Sequence, residues 1–115
     1  MTFAAIAVKV RAMRYSDFKA SLATGDSPPA GLSEALCALW HDAKGDWEAA
    51  HKWVMDSESR SAAWVHAYLH RKEGDLANAA YWYARALQPV IEAPLEEEWE
   101  QLARALCELA ESVGE

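Results

Sequence analysis

His41-Asp42-Ala43-Lys44-Gly45-Asp46 and His70-Arg71-Lys72-Glu73-Gly74-Asp75 are one phrase, His-x-x-x-Gly-Asp, written twice at a spacing of 29 residues. Each copy is followed at equal offsets by an alanine (Ala50, Ala79) and a tryptophan (Trp53, Trp82). Such an echo predicts two copies of a helix-turn-helix unit, stacked because neither can bury its apolar face alone. Within the phrase, glycine tolerates the left-handed backbone that stops a helix, and aspartate accepts from the free N–H groups that open the next one.

Working outward, Leu32, Ala35, Leu36, Leu39, Trp40 and Ala43 form one helical stripe before Gly45, and Trp47, Ala50, His51, Val54 and Met55 form another after Asp46. The second unit repeats the layout. Trp64, Val65, Tyr68 and Leu69 precede Gly74, and Leu76, Ala79, Ala80, Tyr83, Ala86 and Leu87 follow Asp75. The spacing predicts hairpins over about 32–56 and 61–88. Upstream, Tyr15, Phe18 and Leu22 predict a first helix with Ser16 as its N-cap, stopped at Gly25 before a Pro28-Pro29 linker. Downstream, Pro94 opens a last helix over about 94–112, whose seam of Leu95, Trp99, Leu102, Leu106, Leu109 and Val113 suits a cap with an acidic back. The prediction is an all-α fold in one domain over 13–115. Residues 1–12 read as a flexible extension, with Met13 as an alternative start.

Composition narrows the function classes. The net charge of -7 is local: residues 90–115 hold eight acidic residues and one basic one, whereas the rest of the chain is nearly balanced. That pattern argues against nucleic acid as a partner, whose affinity rests on arrays of Lys and Arg facing phosphate. No apolar run approaches the ~20 residues of a membrane span, and Lys9, Arg11 and Arg14 follow the apolar N-terminal stretch instead of preceding it. A cytoplasmic location is expected. Cys37 and Cys107 lie in helical apolar patterns without CxxC spacing, so they read as buried thiols.

From Gly74-Asp75-Leu76-Ala77-Asn78-Ala79 through Trp82-Tyr83-Ala84-Arg85-Ala86-Leu87 and Pro89, the chain resembles a tetratricopeptide repeat, and Gly45-Asp46-Trp47-Glu48-Ala49-Ala50 with Trp53 match the same positions. Its 29-residue unit is shorter than the family period of ~34, so the resemblance is to a TPR-like or Sel1-like hairpin. The stretch from Trp64 to Tyr83 also resembles a group of short bacterial proteins. The resemblance implies a non-catalytic module that binds segments of other proteins.

Candidate chemistry is sparse. His66 and His70 stand one helical turn apart, a spacing that can supply two metal ligands, but HAYLH lacks the glutamate of HExxH that would act as general base. His41 is the repeat equivalent of His70 and Cys37 precedes it by one turn, so His41, His66 and His70 form the alternative reading, a metal or small-molecule site. His51 reads as a core histidine bonded to a neighbouring helix. Phosphate-loop and GxSxG motifs are absent from the sequence, and neither a catalytic residue nor a cofactor is expected. For partner binding the candidates are His66, His70, Arg71, Asn78, Trp82 and Arg85, with Trp53. Aromatics and arginines of this kind suit an acidic peptide or a protein partner. A homodimer is a further expectation.

Overall fold

The computed structural model describes residues 12–114, with side chains as far as Leu109. The extension expected over 1–12 lies outside the described residues except for Ala12. The described residues form six helices: α1 (Tyr15–Thr24), α2 (Glu34–Ala43), α3 (Trp47–Val54), α4 (Arg60–Lys72), α5 (Leu76–Ala86) and α6 (Leu95–Gly114). Among the described residues there is no strand, so the fold is all-α. No helix is long and apolar enough to cross a membrane, again among the described residues.

The repeated phrase does the same thing in both places. Gly45 and Gly74 adopt φ of 87° and 92°, the left-handed conformation that ends a helix. The next N–H, from Asp46 or Asp75, donates back to the carbonyl of His41 or His70 at 2.9 Å in each copy. Asp46 then accepts from the Ala49 N–H, and Asp75 from that of Asn78. Ser33 and Ser59 cap α2 and α4 in the same manner. Ser16 does not cap α1: the helix already begins at Tyr15, with Arg14 in the cap position and no side-chain bond there.

The two hairpins are unequal in packing. One core cluster joins Phe18 of α1, the inner faces of α2, α3 and α4, and Trp99, Leu102, Ala103, Leu106 and Cys107 of α6. A smaller one, Ala67, Tyr83 and Ala79 with Trp64, Trp82 and Ile91 beside them, holds α5 onto α4. Helix α6 does not simply close the end of a stack; it lies across α1, α2 and α4. The Trp99 indole N–H donates to the Leu39 carbonyl at 3.0 Å, and its ring stacks on Phe18 at 6.1 Å between centroids.

Two buried carboxylates fasten these elements. Asp42 of α2 accepts from the Tyr68 hydroxyl and from Lys72 Nζ, both at 2.8 Å and both from α4. Glu98 breaks the expectation of a fully acidic, solvated back on α6. It is 1% exposed and accepts from Arg71 at 2.6 Å and from the Tyr83 hydroxyl.

Candidate functional site

Helix α4 is buried on nearly every side, because α2 and α3, α5, and α6 each pack on a different part of it. Its stripe of Trp64, Val65, Tyr68 and Leu69 reads as the buried face, which would leave His66 and His70 turned to solvent. Both are instead buried, at 4% and 7% exposure. Two neighbouring helices cover them: α3 brings His51 and Trp47 against them from one side, and α5 brings Trp82 and Asn78 from the other.

Three imidazoles therefore meet at the junction between the hairpins. His51 Nε2 lies 3.1 Å from His66 Nε2, and ring nitrogens of His51, His66 and His70 all fall within 4.8 Å of one another. Indoles wall the cluster. Trp47, one turn before His51, stacks on it at 4.9 Å and 8°, and Trp82 stacks on His66 at 4.0 Å and 19°. Trp47 is itself pinned, its indole N–H donating to the Leu69 carbonyl at 2.9 Å across the junction.

The third histidine is oriented by a carboxylate. Glu73 Oε2 lies 2.8 Å from His70 Nδ1, so Glu73 accepts the Nδ1 proton and leaves the lone pair on Nε2. The Asn78 side-chain amide stands 3.4 Å from that Nε2 and can donate to it. His66 is less well served: its Nδ1 is buried and has no hydrogen-bond partner among the described residues. An unpaired buried polar atom carries a desolvation cost.

Electrostatics favour the neutral form of His66 and His51. Burial, then the neighbouring His70 and His51, lowers the His66 pKa to about 4. His51 is also lowered, mainly by burial and then by His70, with Glu73 and Glu48 acting in the opposite direction. Neutral imidazoles with converging nitrogens are the form in which histidine binds a metal. Beyond the cluster, His70 also groups with Glu73 and Asp75, whose carboxylates are exposed.

His41 and Cys37 take no part in this cluster. The His41 ring packs edge-on against Trp40 at 5.4 Å, and Cys37 donates weakly to the Leu32 carbonyl. The reason is positional: α4 has α3 of the preceding hairpin beside it, whereas α2 has no such predecessor. His51, read from the sequence as a histidine bonded to a neighbouring helix, is the residue that completes the trio.

The seven partner-binding candidates divide. His66, His70, Asn78 and Trp82 come together, and Arg85 lies over the Trp82 ring at 5.3 Å while donating to the Tyr81 hydroxyl. Arg71 faces elsewhere, bonded to Glu98 and to the Ala93 carbonyl. Trp53, the repeat equivalent of Trp82, is 40% exposed and away from the cluster. His51, Trp47 and Glu73 were outside the sequence-derived set. Their signal was present in the one-turn spacing of Trp47 and His51 and in the i,i+3 spacing of His70 and Glu73. No family model, curated protein or solved structure matches the chain.

Proposed function

We propose that this chain is a binding protein for a divalent transition-metal ion, held by His51, His66 and His70. The observation that carries the reading is the convergence of three imidazoles whose ring nitrogens lie within 4.8 Å of one another. Two nitrogens bound at 2.0–2.1 Å to one tetrahedral ion stand about 3.3 Å apart, close to the 3.1 Å between His51 and His66. Glu73 supplies the outer carboxylate that fixes the tautomer of a metal-binding histidine and raises its basicity. An all-nitrogen set suits zinc, copper(II) or nickel, whereas calcium and magnesium take oxygen.

Metal analysis and calorimetric titration with Zn²⁺ test this reading. One equivalent per chain is expected to bind and to raise the thermal midpoint, by mass action on the folded state. His51→Ala or His66→Ala should remove uptake and His41→Ala should leave it intact; equal uptake by all three variants, or none by the native chain, would count against the site. Glu73→Gln should weaken affinity 10- to 100-fold, the range for loss of an outer-sphere partner.

A second reading, docking of a protein segment, is favoured by the outer face of α5. Leu76, Tyr81 and Val90 are each more than half exposed, and Leu76 and Val90 border, with Arg71, Ala80, Tyr83 and Ile91, a cleft of about 430 Å³. With Arg71 engaged by Glu98, affinity for an acidic peptide would rest on Arg85. Tyr81→Ala with Arg85→Ala should then abolish capture of such a peptide and leave metal uptake unchanged.

A further inference from the structure

We infer that the three-histidine site keeps one coordination position open and that this position takes a small oxygen anion, such as a carboxylate, with Asn78 as its hydrogen-bond donor. The inference rests on the metal-binding reading and deepens it.

Among the described residues the cluster contains three ligand-capable side chains and no fourth. Cys37 is bonded to the Leu32 carbonyl, and the Glu73 carboxylate is committed to His70 Nδ1, on the ring edge away from Nε2. Zinc and its neighbours take at least four ligands, and three protein ligands with a vacancy is the pattern of sites that admit an exogenous group. A closed structural site would instead supply the fourth ligand from the chain.

The surroundings say which side is open and what it favours. His66 and His70 are nine-tenths buried, whereas His51 and Asn78 are only partly covered, so access runs between α3 and α5. The Asn78 amide now faces the lone pair of His70 Nε2 at 3.4 Å. A metal ion would take that lone pair. The Asn78 N–H would then stand beside the metal without an acceptor, and an anionic oxygen on the metal is the acceptor that fits. Trp47 and Trp82 flank the cluster and restrict the ligand to a small one.

Cobalt(II) is the probe, because its visible spectrum reports coordination number and ligand exchange. Full-length protein loaded with Co²⁺ is titrated with acetate. A saturable change in the visible bands is expected, and Asn78→Ala, once saturated with Co²⁺, should bind acetate about tenfold more weakly, the loss of one hydrogen bond to a charged group. Uptake of Co²⁺ with a spectrum indifferent to acetate overturns the open position alone. A native-like acetate affinity in Asn78→Ala, with the helical circular dichroism retained, overturns the role of Asn78. Failure to take up Co²⁺ overturns the metal reading itself, and with it this inference.

Discussion

At the scale of the residue, burial decides which titratable groups this protein keeps neutral. Cys37 has its thiol pKa raised from 9.0 to about 11, by burial first and then by Glu34. Tyr68 and Tyr83 are raised as well, each mainly by burial and then by the carboxylate it bonds, Asp42 or Glu98. These are acids whose neutral form the fold favours, so the unfolded chain releases its protons first. For Cys37 that contribution to stability is complete below the ordinary thiol value and is lost as pH rises from about 9 through 11, whereas the tyrosines lose theirs only at higher pH. Alkaline unfolding measured by urea titration should show this decline, with Cys37 contributing up to about 2–3 kcal/mol. Cys37→Ala should flatten the curve over that window. A native profile level from pH 8 to 11 would show that the thiol titrates as freely folded as unfolded.

At the scale of the element, the repeated Gly-Asp phrase is pure helix punctuation, and its energetics separate cleanly from packing. A Cβ built on Gly45 or Gly74 would meet nothing within 4 Å, while φ stays at +87° or +92°. Replacing either by alanine therefore costs conformational energy alone, about 1–2 kcal/mol, with no clash to add. Leu87 is the converse case. It holds φ of 59° at the end of α5, the one positive φ at a non-glycine position among the described residues, and its side chain is 66% exposed. Leu87→Gly relieves the left-handed strain and surrenders little buried area, so it should stabilise the protein by about 1 kcal/mol. Thermal melts of the three variants check both signs. A destabilised Leu87→Gly would mean that the exposed leucine contributes more to the boundary of α5 than its backbone strain costs.

At the scale of the whole molecule, the sequence was legible where one helix decides the outcome and opaque where three must meet. Gly45, Asp46, Gly74 and Asp75 could be read from their neighbours along the chain, because caps and stops are local. The histidine trio could not, since aligning the two copies pairs His41 with His70, whereas the site draws His51 from the first unit and His66 and His70 from the second. At the positions equivalent to His66 and His51 the other unit carries Cys37 and Ala80, so one junction makes one site. Glu98 was hidden for a related reason. In a run of three glutamates at a helix start, nothing local distinguishes the one that meets Arg71 and Tyr83. That contact ties α6 to both helices of the second hairpin, and α6 also supplies Trp99, Leu102 and Leu106 to the main core. Glu98→Ala leaves the Arg71 guanidinium largely buried without its carboxylate, a loss of about 3–5 kcal/mol. Arg71→Met combined with Glu98→Leu removes both charges and should cost less than Glu98→Ala alone. Because α6 and the hairpins share one core, urea should unfold the native chain and both variants in a single transition, with an unchanged m-value and a shifted midpoint. A separate early transition in Glu98→Ala would show instead that α6 detaches from hairpins able to stand without it.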